Sequence, residues 1–192
     1  MRIPLTVIAT TAIAATLVGV SACGNDSKST TPSAGSSRAP RPAISDYTTL
    51  LIKAGDIKAP DAFTAGPATK DPNGEKGATI TFTDQDRSHS IVDTIHILPD
   101  IEAAASALDS AKATHRETLL AKSLNAEVGV GGATISGLSP DHSKGVTVLV
   151  FTEGKALVTL EFDGPSFALA PPEFITDVGQ KQDEAIKNAL GS

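Results

Sequence analysis

The sequence holds no tryptophan, one tyrosine and six phenylalanines in 192 residues, so aromatics make up only 4% of the chain. That poverty removes the stacked aromatic platforms on which single-stranded nucleic acid is held. A single cysteine excludes an intramolecular disulfide and any cysteine-rich zinc site. Basic side chains are scarce as well. The 16 Lys and Arg stand against 22 Asp and Glu, a net charge of −6, which excludes the basic face a nucleic-acid binder needs. The length allows one domain and leaves little room for two.

What is present begins at the N-terminus. Met1 and Arg2 form a short charged start, and Ile3 to Val20 is an uncharged apolar run interrupted by Pro4. Val20-Ser21-Ala22-Cys23 follows, an aliphatic residue and two small residues before the only cysteine. This pattern resembles the lipobox of lipoprotein signal peptides. The small residues let the backbone lie extended in a protease groove. The resemblance implies that residues 1–22 are removed and that Cys23 takes a diacylglyceryl group on its sulfur. Two acyl chains, at about 0.8 kcal/mol per buried CH₂, make a stable anchor. Gly24 does not resemble an inner-membrane retention signal. The expected location is therefore the extracytoplasmic face of the cell membrane. Loss of residues 1–22 removes Arg2 alone, leaving 15 basic and 22 acidic side chains. Such a body gains nothing from an anionic bilayer surface, so the lipid must do the holding.

After Cys23, residues 24–43 read GNDSKSTTPSAGSSRAPRPA, with no large apolar side chain. This composition cannot bury enough surface to offset ordering entropy and reads as a flexible tether, about 60 Å long when stretched. The expected organisation is residues 1–22 signal peptide, 23–43 lipidated cysteine and tether, and 44–192 one folded domain.

Within that domain, Ser45-Asp46-Tyr47 predicts a short capped helix closing at Gly55. Residues 56–77 carry Pro60, Pro67, Pro72 and Asn73-Gly74 and read as loop. Residues 78–83 alternate with period two, placing Ala78, Ile80 and Phe82 inward, and Ile91 to Leu98 is a second, β-branched strand. Asp100 caps a long helix whose apolar stripe runs through Ile101, Ala104, Leu108, Ala111, His115 and Leu119 towards Leu124. Ala133 to Ser136 predicts a short strand. Val146 to Thr152 and Lys155 to Phe162 predict a hairpin turned at Glu153-Gly154. Pro171-Pro172-Glu173 opens a last helix. The expected fold is α+β, an antiparallel sheet of about five strands, packed on one face by the long central helix and the C-terminal helix.

The lipobox, the Ser/Thr/Pro tether and a domain ending in Phe151-Thr-Glu-Gly-Lys-Ala-Leu-Val and a terminal helix resemble actinobacterial, mycobacterial-type cell-envelope lipoproteins. The order of elements is similar to that of LpqN/LpqT-type lipoproteins, and this implies a Mog1/PsbP-like sandwich without a catalytic set. The related sensor-like lipoproteins tend to carry disulfides, and here the chain departs from them.

Residues suited to chemistry are few. Asp84, Asp86 and His89, two carboxylates and an imidazole within six residues, are candidates for a divalent ion, although the glycine and closing glutamate of a calcium loop are missing. The competing reading is a solvated turn. Asp93 shares a strand face with Ile91, Ile95 and Ile97, where a carboxylate needs partners or a raised pKa. Ser139, Asp141 and His142 crowd one loop, whereas triad members come from separate facing elements. Gly129-Val-Gly131-Gly132 lacks the Lys-Ser/Thr of a phosphate loop and reads as a tight turn. Candidate walls of an apolar ligand pocket are Phe82, Ile95, Val148, Phe151, Leu160 and Phe162, the same side chains that would fill a plain core. No catalytic residue, no cofactor and no nucleic-acid partner is expected. The expected function is a membrane-anchored, non-enzymatic binding or accessory module for a protein partner or an apolar ligand. A surface-exposed structural or host-interacting antigen and an envelope hydrolase are the alternatives.

Overall fold

Residues 44–191 are described in a computed structural model of the chain. The signal segment, Cys23 and the tether expected from the sequence lie outside the described residues.

The centre of the domain is the hairpin that Gly154 turns. β7 (Lys144–Glu153) and β8 (Ala156–Pro165) pair antiparallel in continuous register from Lys144↔Pro165 to Glu153↔Ala156. Gly154 sits at φ 56°, which a two-residue turn of this twist requires. β4 (Ser90–Ile97) joins the other side of β8, and β3 (Gly77–Thr83) joins β4. On the far side β6 (Val130–Leu138) pairs with β7 through a bulge between Val130 and Ala133. Gly129 and Gly131, at φ 53° and 66°, give that bulge its positive-φ backbone. Of the glycine-rich run expected as a tight turn, only Gly129 lies in the turn; Gly131 and Gly132 belong to the bulged start of β6, which begins three residues before the expected strand.

Three very short strands complete an eight-stranded antiparallel sheet. β1 (Thr64–Ala65) and β2 (Thr69–Lys70) lie along the free edge of β3, and β5 (Ser123–Asn125) lies along the free edge of β6. The expected five strands are therefore the long ones. The three additions are exposed dipeptides or a tripeptide without any hydrophobic period.

α1 (Ile101–Thr118) starts where Asp100 Oδ1 accepts the Ala103 N–H at 2.8 Å. It stops six residues before Leu124, because Leu120 adopts φ 49° and the Ala121 N–H turns back to Arg116 O. α2 (Pro172–Leu190) starts at the expected prolines. The two helices cover opposite faces, which corrects the expectation of one covered face. Leu108 of α1 buries against Ile135, Val148, Val150 and Leu157, and Ala104 is fully buried one turn before it. Ile175, Val178 and Ile186 of α2 bury against Leu149, Phe151, Val158 and Leu160. β7 and β8 alternate between these clusters, so β7 is buried from Gly145 to Glu153. A strand covered on both faces has no polar side to show.

The expected N-terminal helix is two 3₁₀ turns, Tyr47–Leu50 and Ala54–Asp56, joined by an extended piece. This segment shares the α2 face and covers β3 and β4 with Leu50, Leu51, Ile52 and Ile57. Gln182 of α2, fully buried, fastens it. Its Nε2 donates to Leu50 O at 2.7 Å, and its Oε1 accepts the Ile52 N–H at 2.9 Å. The described residues 44–191 belong to one compact unit that holds all the described strands and both apolar clusters, so it carries its own core.

Candidate functional site

Beside α2 the sheet leaves a cleft of about 680 Å³, open to solvent. Its apolar lining comes from four separate places: Pro60 and Phe63 in the N-terminal loop, Ile91 in β4, Phe162 in β8, and Leu169 and Phe174 around the start of α2. Three of the six phenylalanines meet here. The Phe63 and Phe174 rings stack with centroids 6.4 Å apart, and Phe162 meets Phe174 edge-on at 5.8 Å. The loop from Ser166 to Pro171 forms the rim and leaves Phe167 91% and Leu169 49% exposed. A cleft of this size with an apolar lining and a few polar groups is the usual form of a small-molecule site.

The polar groups belong to the β3–β4 turn. Asp84 is buried and Oδ2 gathers its neighbours. It takes the His89 Nδ1 at 2.8 Å, the His89 backbone N–H at 3.1 Å and the Ser88 hydroxyl at 3.1 Å. Burial works to raise the Asp84 pKa, but the hydrogen bonds from His89 and Ser88 outweigh it and hold the carboxyl below its usual range. The contact at Nδ1 orients the His89 ring and turns Nε2 away from the carboxylate. Gly164 lets β8 run close to that ring edge, since a Cβ there would meet His89 Cδ2 at 3.0 Å.

Asp86 does not join the other two. It is exposed and accepts the Ser88 N–H at 2.9 Å. The candidate ion site is thereby corrected to a carboxylate–imidazole pair. Among the described residues no group of three histidine, cysteine or acidic side chains is placed to hold a metal ion. The candidate ligand walls divide as well. Phe82, Ile95, Phe151 and Leu160 are fully buried in the core beneath α2, and Val148 is buried beneath α1. Only Phe162 of that set lines the cleft. Phe63, Phe174 and Leu169 were not among the expected walls because they lie in a loop and at a helix start, whose meeting with β8 no local pattern gives. The one available signal was scarcity: in a chain with few aromatics, phenylalanines beside prolines mark apolar surface outside the strands.

The remaining singled-out residues have ordinary surroundings. Asp141 accepts from Ser139 Oγ at 2.6 Å and from the Ser143 N–H and hydroxyl, which pull its pKa down to about 2. That is a closed loop cap, and His142 stands outside it at φ 59°. His96 faces Glu75 at 3.2 Å. His115 lines a second, smaller hollow of about 400 Å³ with Glu161 and Lys144, and burial lowers its pKa. Asp93 is fully buried in β4, a central strand, and both carboxylate oxygens lack a hydrogen-bond partner.

No protein-family profile matches the chain, and no curated protein matches it in sequence. Among solved structures, the domain is similar to the extracellular domain of PknH from Mycobacterium tuberculosis, with a TM-score of 0.54 and 9% identity. The match covers 76% of this chain and 95% of that one. Among the described residues no helix is long and apolar enough to cross a membrane. The chain thus shares its α+β fold with a mycobacterial extracellular domain.

Proposed function

We propose that this protein is a cell-envelope lipoprotein, anchored through a lipid on Cys23 at the extracytoplasmic face. Its domain is a non-enzymatic module that binds a small apolar or lipid-like ligand in the cleft beside α2. The observation that carries the binding role is that cleft of about 680 Å³, where Phe63, Phe162 and Phe174 converge on the Asp84–His89 pair. The lipobox at Val20-Ser21-Ala22-Cys23 supports the anchor. Likeness in fold to an extracellular domain supports the location. The hydrogen bonds around His89 favour binding over hydrolysis. Ser88 Oγ lies 2.8 Å from Nδ1, on the Asp84 side, where it does not act as a nucleophile activated by Nε2.

Two measurements test the two halves. In an actinobacterial host, Cys23→Ser is expected to abolish incorporation of labelled palmitate and to release the protein from the membrane fraction. Unchanged label and unchanged fractionation would remove the anchor. For the cleft, decanol titrated calorimetrically into the chain from residue 24 onward is expected to bind at one site. Phe174→Ala should weaken it about tenfold, the loss of roughly 1.5 kcal/mol of apolar contact. Decanol binding that Phe174→Ala leaves unchanged removes the cleft reading.

A further inference from the structure

The cleft has a sign of charge as well as an apolar lining. Asp61, Glu173 and Asp177 line it without an ion pair among the described residues, against a single lysine, Lys58. Asp163 also borders it but is neutralised by Lys144 Nζ at 2.7 Å. Asp84 adds a second kind of observation. Its side chain is 5% exposed, it lines the cleft, and Oδ1 has no hydrogen-bond partner.

An anion is poorly served by the same geometry. The start of α2 borders the cleft, and helix starts bind anions through free backbone N–H groups. Here Pro171 and Pro172 supply no N–H, and Glu173 occupies the first turn, where it already answers the helix dipole. Among the lining side chains carboxylates outnumber the basic groups, which are Lys58 and His89. A phenyl face adds the same preference, since its quadrupole attracts cations.

From this we infer that the ligand is a cationic amphiphile, an alkyl or aryl chain seated among Phe63, Phe162 and Phe174 with an ammonium head donating towards the acidic rim. The inference rests on the cleft being a binding site and adds the class of head group. Three probes of one chain length separate the two: decylammonium, decanol and decanoate, each below its micellar concentration, titrated into the chain from residue 24 onward. Decylammonium is expected to bind about tenfold more tightly than decanol, and decanoate more weakly than either, with the spread shrinking as salt is raised. In Glu173→Gln/Asp177→Asn the decylammonium-to-decanoate ratio should fall towards unity. If that pair of changes unfolds the domain, Asp177→Asn alone and the salt series on the unaltered chain give the same reading. Decanol binding with decanoate equal to or tighter than decylammonium overturns the cationic head alone. Failure of all three probes overturns the cleft reading, and the head group with it.

Discussion

Asp93→Asn is expected to stabilise the domain by on the order of 3 kcal/mol at pH 7. Asp93 lies in β4 between β3 and β8, with no exposed surface and no hydrogen-bond partner for either carboxylate oxygen. Burial pushes its pKa up to about 8, with the nearby Ile52 amide pulling the other way. The folded state therefore keeps a proton that the unfolded chain releases near pH 4. Stability from this group is complete below pH 4 and is lost progressively as the pH rises to about 8. Asparagine has nearly the same shape and no such proton. The two proteins should unfold at similar denaturant concentrations near pH 4, diverge as pH rises, and run parallel above pH 8. Equilibrium unfolding at several pH values measures the gap. A wild-type stability that is flat across that range would mean that the carboxyl reaches water or a partner.

Gln182→Leu is expected to cost about 3 kcal/mol, although it exchanges a polar side chain for an apolar one of similar size. The reason lies in what it leaves behind. Leu50 O and the Ile52 N–H are buried, and Gln182 supplies the side-chain bond to each, at 2.7 and 2.9 Å. Without it Leu50 O stays desolvated and unpaired, at about 1–3 kcal/mol, and the Ile52 N–H keeps only its approach to the Asp93 carboxyl. The loss should be local first. Hydrogen exchange at Ile52 is expected to accelerate before that of β7 and β8, because the N-terminal segment can lift while the central hairpin stays paired. Equal acceleration everywhere would show that the segment and the sheet open as one unit.

How much of this was legible in the sequence depends on whether a residue's surroundings are local. The β7–β8 hairpin, the Asp100 cap and the Pro171-Pro172 helix start each rest on neighbours in the chain, and each stands where the residues placed it, except that the hairpin turns at Gly154-Lys155, one residue beyond the expected Glu153-Gly154. Asp93 was on the core face for the same reason: period two in β4 puts it with Ile91 and Ile95. The C-terminal end of α1 was overrun because Leu120 and Leu124 stand four residues apart, a helical spacing that a positive φ at Leu120 cancels. The opposite-face placement of the helices had a readable trace in Val146-Thr-Val-Leu-Val-Phe151, which is apolar at nearly every position instead of every second one. The cleft had none of that. Phe63, Phe162 and Phe174 come together only through the crossing of a loop, a strand and a helix, and no spacing along the chain encodes that crossing. Asp84 and His89 were found as neighbours in sequence, but whether Asp86 joined them depended on the turn's backbone.

The short flanking strands bear on how such molecules live side by side. Proteins fixed to one plane of membrane, as proposed for this one, meet their copies at high concentration and in similar orientation. A long bare strand at the margin would then recruit the next copy and grow a ribbon. Here one margin is broken into Thr64–Ala65 and Thr69–Lys70, and the other ends in Ser123–Asn125. Each offers only two or three main-chain groups before the chain turns away, too little to template a neighbour. Margins this short disfavour edge-to-edge pairing between neighbouring copies.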